Sequence, residues 1–429
     1  MRGSQLTAIA CALSLALAAC GKRAPREEPA PPLEPATPHD GGAPPPTDAP
    51  PPPWPELEGL PRAEPDRVVT LPTKPDVPRF SVGGPVIAGD VAVVASSQFG
   101  FVAVDWRRGA ITWTKPAGLH VAPPLALPPD RSGATATATA PDDRARPALP
   151  GGVALVGDCF SPPAIPEGER LLGCLRVVTP AGVDQAYMAI HGKPAAVEPF
   201  AAAAGAQSLW LASPGALRWL RGEHAVTVDL MTGVAAPADA TPAPPLIIDY
   251  KSRHFEIEHT DGKILARARR GGPPLWTTEN RYTALLGPVW QQDSAPMLRI
   301  ATLADRGGAP HVRVIDMDAT GSLRTANARG MPGIALLGWG ASAIGDVALA
   351  IRLDRSLRRD FIAGYGVSAM VMWVYPLPEQ PRPDPVGVAV APDAVVVFHD
   401  GDTLTILPEL SVPPTAPGAG RAPSRNPTP

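Results

Sequence analysis

The stretch Gly84–Pro116 reads GPVIAGDVAVVASSQFGFVAVDWRRGAITWTKP and sets the fold class. It contains four short apolar runs rich in Val, Ile, Phe and Trp, namely Val86–Ile87, Val91–Ala95, Phe101–Val104 and Ile111–Trp113. Gly and Asp separate the runs, a pattern typical of antiparallel strands joined by tight turns. Four such strands in about thirty residues form one small sheet, which cannot bury both of its faces alone. The stretch therefore predicts an all-β protein in which several small sheets stack side by side.

One motif inside this stretch narrows the fold. Ala103-x-Asp105-x-x-Arg108-Gly109-x-x-x-Trp113 resembles the blade motif of pyrroloquinoline-quinone-type (PQQ-like) propeller repeats, with Arg108 where Thr is usual. In such a turn the Asp side chain accepts hydrogen bonds from backbone N–H groups, and the Gly adopts a positive φ. The resemblance implies that Asp105 and Gly109 shape a turn and that Trp113 fills space between neighbouring blades. The alternative is an isolated four-stranded meander in some other β fold.

Degenerate copies of the stretch recur at intervals of about 40 to 50 residues, the spacing of propeller blades. In one copy Asp229 and Gly233 restore the turn of the motif, while Pro237 replaces the Trp. The seven candidate units are Gly84–Pro116, Gly151–Gly192, Ser208–Ala238, Leu246–Thr277, Gly287–Thr325, Gly333–Leu377 and Val386–Leu407. The pattern is β throughout, without a helical period of sufficient length. It predicts a β-propeller of seven or eight four-stranded blades over residues 66–412.

The N-terminus has the features of an export signal. Leu6–Ala19 is apolar but shorter than the roughly 20 residues that a membrane-spanning helix needs. Its end, Leu17-Ala18-Ala19-Cys20, resembles the bacterial lipobox, which implies a signal peptide over residues 1–19 and lipidation, palmitate included, at Cys20. Gly21 then favours the outer membrane, because Asp at that position retains enterobacterial lipoproteins in the inner membrane. An ordinary secretory signal with an incidental Cys is the alternative.

Proline-rich segments flank the predicted propeller. Residues 20–65 contain few large apolar side chains, and residues 413–429 form a polar tail without core residues. Neither segment buries enough apolar surface to offset its ordering entropy, so both are expected to be disordered. A polyproline II linker of this length, at about 3.1 Å per residue, reaches on the order of 100 Å. It would lift the propeller off the membrane, or alternatively serve as a PxxP ligand.

The cysteines agree with export. Cys11 lies in the signal and Cys20 takes the lipid, which leaves Cys159 and Cys174. Two remaining cysteines in an exported domain usually form a disulfide, although two reduced core thiols are the alternative. We expect them to join two strands of one hairpin.

Charge and motifs exclude several classes of function. The net charge of −3 gives no indication of nucleic-acid binding. Asp316-x-Asp318-x-Thr320-Gly321 imitates the start of a calcium-binding loop, but its twelfth position is Asn327, so a hairpin turn is expected. The sequence contains no Gly-x-Ser-x-Gly, phosphate loop or His-Glu-x-x-His motif. We therefore expect no catalytic residue, no cofactor and no metal.

The function expected from these features is that of a scaffold. In lipid anchor and fold the chain resembles the propeller lipoprotein of the outer-membrane barrel-assembly machinery. This resemblance implies a non-enzymatic protein of the cell envelope that faces the periplasm and binds other proteins. The alternative is a quinoprotein-like enzyme that holds a cofactor or ligand in the central channel. Many quinoprotein dehydrogenases carry two adjacent cysteines near the cofactor, and this chain has none.

Overall fold

Seven four-stranded antiparallel sheets make up a β-propeller in the computed structural model. The residues that the structure describes are 55–71, 82–96, 98–118, 121–127, 152–204, 207–213, 215–240, 246–250, 253–269, 271–289, 297–306, 309–324, 330–342, 345–354, 359–378 and 386–410. The predicted signal peptide with Cys20, most of the predicted linker and the predicted tail lie outside them. The sequence predicted seven or eight four-stranded blades, and the structure confirms this prediction with seven.

Blades 1 to 3 each consist of four consecutive strands. Blade 1 contains β2 (Val86–Ala88), β3 (Val91–Ser96), β4 (Gly100–Asp105) and β5 (Ala110–Lys115). Blade 2 contains β6 (Leu125–Leu127), β7 (Gly152–Gly157), β8 (Arg170–Val178) and β9 (Asp184–Gly192). Blade 3 contains β10 (Gln207–Ser213), β11 (Ala216–Arg221), β12 (His224–Asp229) and β13 (Ala235–Ala238).

Blades 4 to 6 repeat this order. Blade 4 contains β14 (Leu246–Tyr250), β15 (Arg253–Thr260), β16 (Lys263–Arg267) and β17 (Pro274–Thr277). Blade 5 contains β18 (Ala284–Val289), β19 (Met297–Arg306), β20 (Ala309–Asp318) and β21 (Met331–Pro332). Blade 6 contains β22 (Ala335–Ala341), β23 (Val347–Asp354), β24 (Arg359–Tyr365) and β25 (Val371–Pro376).

Blade 7 is built from both ends of the described chain. It takes β26 (Gly387–Ala391), β27 (Ala394–His399) and β28 (Thr403–Pro408) from the C-terminal end. Its fourth strand is β1 (Arg67–Thr70), which pairs antiparallel with β28, so that Arg67 lies opposite Ile406. The N-terminal strand therefore closes the ring.

The core lies between the blades. First strands of neighbouring blades contact one another, for example β2 with β6 and with β26, so these strands form the innermost layer around the axis. Buried residues from two adjacent blades share each core cluster: Val312 and Val314 of blade 5 pack with Leu349 and Phe361 of blade 6. Among the described residues such clusters join all neighbouring blades except blades 3 and 4, so most sheets cover the faces of two neighbours, as the repeat pattern requires.

Residues 55–65, which composition assigned to the disordered linker, pack against blade 6, and this corrects the predicted boundary. A short 3₁₀ helix (Pro55–Leu57) buries Leu57 completely in the core shared by blades 5 and 6. The Ala63 N–H then donates to the Val374 carbonyl at 2.9 Å, and the Val374 N–H donates to the Pro61 carbonyl at 2.8 Å. Burial of Leu57, rather than proline content, decides the conformation of this segment.

A helix interrupts the pattern that was predicted to be β throughout. Helix α1 (Pro194–Ala202) follows β9 and places Pro at its first turn, where no intrahelical N–H bond is lost. Val197 and Phe200 are three residues apart, and both are buried against blades 2 and 3. The prediction failed because an Ala-rich helix of nine residues carries only these two apolar anchors.

The seven predicted units correspond to the seven blades, with differences at their edges. The unit that began at Gly151 omitted β6, because Leu125–Leu127 is separated from β7 by a long segment. The unit that ended at Thr325 omitted β21, which pairs with β20 through only Met331 and Pro332. Outer strands this short leave little periodicity to detect.

Candidate interaction surface

The motif residues Asp105 and Asp229 hold turns between the third and fourth strands of blades 1 and 3. The Arg108 N–H donates to Asp105 Oδ1 at 2.9 Å. The N–H groups of Met231 and Thr232 donate to Asp229 Oδ1 at 2.9 and 3.0 Å. Each turn continues into a glycine with positive φ.

These glycines are required by close approach to the preceding blade as well as by backbone conformation. Gly109 has φ 70°, and a Cβ there would lie 2.7 Å from Arg67 Cδ on the closing strand. Gly233 has φ 74°, and a Cβ there would lie 2.0 Å from the Ala189 carbonyl oxygen in blade 2. The turns are therefore joints between blades, and a side chain at either glycine would open the joint.

Tryptophans on fourth strands lock three further joints. Trp113 Nε1–H donates to the Pro180 carbonyl of blade 2 at 3.0 Å. Trp276 donates in the same way to the Ala319 carbonyl of blade 5 at 2.9 Å, and Trp373 to the Glu409 carbonyl after blade 7 at 3.3 Å. In each case the ring packs on the next blade and its polar atom binds that blade's backbone.

A buried arginine takes this role between blades 5 and 6. Arg299 on β19 is fully buried and forms a bidentate pair with Asp316 at 2.9 and 3.0 Å. Its remaining N–H groups donate to the carbonyls of Gly345, Gly366 and Val367 in blade 6, at 2.6 to 3.0 Å. The charge is thereby neutralised and every donor direction is used, as a buried guanidinium requires.

The calcium-like stretch forms the predicted hairpin turn. Asp318 Oδ1 accepts the N–H groups of Thr320 and Ser322 at 2.9 and 3.0 Å, and Arg324 pairs with Oδ2. Burial acts to raise the pKa of Asp318, but these hydrogen bonds together lower it below its ordinary value. Among the described residues, no three or more His, Cys, Asp or Glu side chains are placed to hold a metal ion.

Cys159 and Cys174 lie together as a disulfide, with their Cα atoms 5.1 Å apart. Cys174 is opposite Gly157, the last residue of β7, so the bond joins the start of the β7–β8 loop to the following strand. The lipidation residue Cys20 lies outside the described residues. None of the helices in the described ranges has the length and apolar character to cross a membrane.

The innermost strands are almost free of charge. Across β2, β6, β10, β14, β18, β22 and β26 the only charged residue is Asp249. Two large apolar side chains on these strands, Trp339 and Ile247, are exposed. The residues of these seven strands are therefore mostly apolar or uncharged.

A cavity of about 360 Å³ lies away from the axis, between the N-terminal segment and the outer edge of blade 5. Its lining residues are Glu56, Leu60, His311, Arg313, Gly330, Met331 and Pro332. Both carboxylate oxygens of Glu56 accept hydrogen bonds from Arg359 at 3.3 Å, and this ion pair connects the N-terminal segment to blade 6.

Five of the 13 exposed large apolar side chains among the described residues lie in turns between third and fourth strands, and we call this set of five the apolar rim. It consists of Val183 in blade 2, Met231 and Val234 in blade 3, Leu323 in blade 5 and Met370 in blade 6, each between 42% and 66% exposed. In an antiparallel meander these turns share one edge of every sheet with the turns between first and second strands. The five side chains thus lie at corresponding places in blades 2, 3, 5 and 6.

No protein-family model and no curated protein matches the sequence. Many solved structures match the fold. A chain of a mitotic checkpoint complex has a TM-score of 0.44 at 12% identity, covering 82% of this chain and 94% of that one. BamB from Moraxella catarrhalis has a TM-score of 0.40 at 10% identity, with coverage of 80% and 97%. The β-propeller domain of Cps50 (Swd1) from Myceliophteria thermophila has 0.42 at 11% identity, with 78% and 99%. Identity this low concerns the fold alone.

Sequence reasoning missed Arg299 and the apolar rim. Met231 lies between Asp229 and Thr232 in a stretch that was singled out only for its turn. The neighbouring Leu230, in the same Asp-x-x-Thr-Gly turn, is buried, so the sequence did not indicate which of the two apolar residues would be exposed. Arg299 gave no signal either, since most of its partners are backbone carbonyls of a later blade.

Proposed function

We propose that the protein is a lipid-anchored scaffold of the bacterial cell envelope, facing the periplasm, which binds other proteins through the apolar rim. The observation that carries the proposal is the exposure of Met231, Val234, Leu323 and Met370 in equivalent turns of three blades, with Val183 in a fourth. Exposed apolar groups of this size stay in water at a cost that a protein contact removes.

The joints beneath the rim support this role. The turn bearing Met231 is fixed by Asp229 and packs on blade 2 through Gly233. The turn bearing Leu323 is fixed by Asp318 and packs on Trp276 of blade 4. A rim held on rigid turns loses little conformational entropy on binding, which favours affinity.

The experiment is affinity capture from membranes with the tagged, full-length protein and quantitative identification of what is retained. We expect the triple variant Met231→Glu, Leu323→Glu, Met370→Glu to lose its captured proteins by about tenfold or more, because charges replace the apolar contacts. The control is Ile111→Glu with Leu303→Glu, which places charges at exposed apolar positions outside the rim. Equal retention by the rim variant and the wild type would refute the proposal.

Anchoring is tested separately. The Cys20→Ala protein should leave the membrane fraction and should lack the incorporated fatty acid that the wild type carries, because the lipobox residue is gone. A Cys20→Ala protein that still fractionates with membranes, beside a wild type without fatty acid, would show that the lipoprotein hypothesis is wrong and leave the rim to be judged on its own.

A further inference from the structure

The joint between blades 3 and 4 differs from the other six joints of the ring. Among the described residues, a cluster of buried apolar side chains spans every other pair of neighbouring blades. The innermost strands also pack together at those six joints, whereas β10 and β14 approach each other less closely. In the part of the chain that the structure describes, blades 3 and 4 are therefore neighbours without a shared apolar core.

The face that blade 3 turns toward blade 4 is only half-buried. On β11, Leu217 and Trp219 enter the core shared with blade 2, and side chains alternate between the two faces of a strand. Arg218 and Leu220 therefore point toward blade 4, and both are half-buried. Trp210, which lies opposite Arg218 in the sheet, is half-buried as well. No residue of β11 on this face is fully buried.

Blade 4 presents a similar face to blade 3. Phe255 and Ile257 of β15 enter the core shared with blade 5, so Glu256 between them points toward blade 3. Ile247, which lies opposite Glu256 on the innermost strand β14, is 56% exposed. An aliphatic side chain this exposed on that face shows that blade 3 does not cover it.

Two buried polar atoms at this joint, Arg218 Nε and Glu256 Oε2, have no hydrogen-bond partner. Arg218 donates to the Asp239 carbonyl at 2.7 Å, and Glu256 Oε1 lies 3.6 Å from His254 Nε2. Both contacts stay within the residue's own blade, so the two opposite charges do not meet across the joint. Each unpartnered buried atom costs about 1–3 kcal/mol, and a slight opening of the joint would admit water to both.

This joint divides the apolar rim into two halves. Val183, Met231 and Val234 lie on blades 2 and 3, whereas Leu323 and Met370 lie on blades 5 and 6. The joint between blades 3 and 4 therefore lies between the two groups of exposed side chains.

The joints on either side of it are firmly held. In one half, the His191 N–H of blade 2 donates at 3.1 Å to the Gly233 carbonyl in the rim turn of blade 3. In the other half, Trp276 joins blade 4 to blade 5, and Arg299 joins blade 5 to blade 6. Movement at the joint between blades 3 and 4 would thus shift one half of the rim relative to the other, with each half intact.

We propose that the ring opens and closes at the joint between blades 3 and 4, and that this movement sets the distance between the two halves of the rim. Opening here exposes no described core cluster and hydrates Arg218 Nε and Glu256 Oε2, whereas opening any of the other six joints would expose apolar side chains to water.

The consequence for binding follows from the position of the joint. A partner that contacts both halves of the rim would favour one ring width over others, because a ligand shifts a conformational equilibrium by its difference in affinity for the two states. This inference rests on the proposed function, since it takes the rim as the binding surface. It adds a movement that binding to a rigid rim would not need.

The test measures distances between pairs of spin labels in the full-length protein by double electron–electron resonance. Labels carried on a genetically encoded amino acid, rather than on cysteine, leave the bond between Cys159 and Cys174 intact. The pair at positions 231 and 323 spans the joint, whereas the pairs at 183 and 231 and at 323 and 370 each lie within one half. We expect the first pair to give a distance distribution about twice as wide as the other two.

A double variant tests the cause of this width. Arg218→Leu with Glu256→Leu should narrow the distribution between positions 231 and 323 to that of the other pairs, because apolar side chains replace the unpartnered charges and fill the joint. The control is Arg107→Leu with Asp393→Leu, which removes an exposed ion pair between blades 1 and 7 and should leave the width unchanged.

A distribution between positions 231 and 323 as narrow as those of the other pairs would overturn the proposal, and this comparison needs no variant at the joint. So would a wide distribution that a folded Arg218→Leu, Glu256→Leu protein retains, or distributions that are wide for all three pairs. The capture experiment with the rim variant has a separate outcome. A narrow distribution beside a rim that still captures proteins refutes the moving joint alone.

Discussion

Buried charge joins blades 5 and 6 at the scale of single residues. Arg299 connects one carboxylate of its own blade with three carbonyls of the next, and none of its N–H groups remains for water. A desolvated ion pair of this kind is weak evidence for net stability but is costly to break, since removal of one partner leaves the other charge buried. Arg299 therefore ties the orientation of blade 6 to Asp316.

Replacing Arg299 with Met should lower the free energy of unfolding by about 3–5 kcal/mol, because Asp316 would remain buried without a partner. Denaturant titration measures this change. Arg107→Met is the matched comparison: Arg107 pairs with Asp90 and Asp393, but half of its side chain is exposed, so its loss should cost less than about 1 kcal/mol. Equal losses in the two variants would contradict the assigned role of Arg299.

Two carboxyl groups should respond to pH with opposite signs. Burial raises the pKa of Asp346 despite the nearby Arg299, so its ionised form destabilises the fold at neutral pH and protonation in acid relieves this. The pKa of Asp318 is lowered, so its ionised form stabilises the fold above the pKa of the unfolded chain, and this contribution is lost as pH falls through its folded pKa.

We therefore expect Asp346→Asn to raise stability at pH 7 and Asp318→Asn to lower it, with both differences shrinking in acid. Unfolding measured from pH 7 down to about pH 3 in the two variants checks the signs. Differences that stay constant over this range would show that titration is not their source.

Among the roles of single residues, the sequence could predict those that shape turns. Asp105 and Asp229 accept hydrogen bonds from backbone N–H groups two or three residues further along the chain, so a local motif predicts their role. The partners of Arg299 and of Trp113 lie in the next blade, and no local pattern states which carbonyl a donor will meet. The motif predicted that Trp113 packs between blades, but it did not predict that its indole N–H donates to the Pro180 carbonyl.

At the scale of secondary-structure elements, the sequence predicted a strand wherever the alternation of apolar and polar residues, or a run of β-branched residues, was long enough. Val91–Ser96 and Gly100–Asp105, which are almost entirely buried, correspond closely to the predicted runs Val91–Ala95 and Phe101–Val104. Met331–Pro332 and helix α1 were not readable, because two residues show no period and nine residues with two anchors show little. Tertiary packing against neighbouring blades defines both elements.

Loss of the disulfide should weaken blade 2 without abolishing the fold. Cys159 and Cys174 are separated by 15 positions, and closing a loop of this size stabilises by roughly 3 kcal/mol in the chain-entropy model. The double change to Ser should lower the free energy of unfolding by about 2–4 kcal/mol, measured by denaturant titration. Non-reducing peptide mapping of exported protein checks the bond itself, and two free thiols there would contradict it.

Ring closure belongs to the whole molecule. The N-terminal segment buries Leu57 between blades 5 and 6, pairs with Val374 and then supplies the outer strand of blade 7. Composition could not predict this, because a proline-rich linker and a proline-rich closing segment differ only in a few apolar residues such as Leu57 and Leu71. What marks the closing strand is a C-terminal blade that lacks its fourth strand.

Deleting residues 1–54, with export by a cleavable signal, should leave the unfolding transition unchanged. Deleting residues 1–71 should lower the free energy of unfolding by about 3–6 kcal/mol, since burial of Leu57 and Leu71 contributes roughly 1.5–3 kcal/mol each. Thermal and denaturant unfolding of both proteins measures the difference. Two truncated proteins of equal stability would mean that β1 does not close the ring.

The position of β1 also fixes an order of events in time. A chain is made from its N-terminus, so β1 exists long before β28, the strand against which it pairs. Until β28 (Thr403–Pro408) has been synthesised, the backbone N–H and C=O groups of β1 have no neighbouring strand with which to form hydrogen bonds. β1 has only four residues, and three of them are exposed in the complete fold. The unpaired strand edge that exists before β28 is made is therefore short. Any synthesis that stops before Thr403 therefore yields an open ring, and completion of the last blade is the moment at which the molecule becomes a propeller.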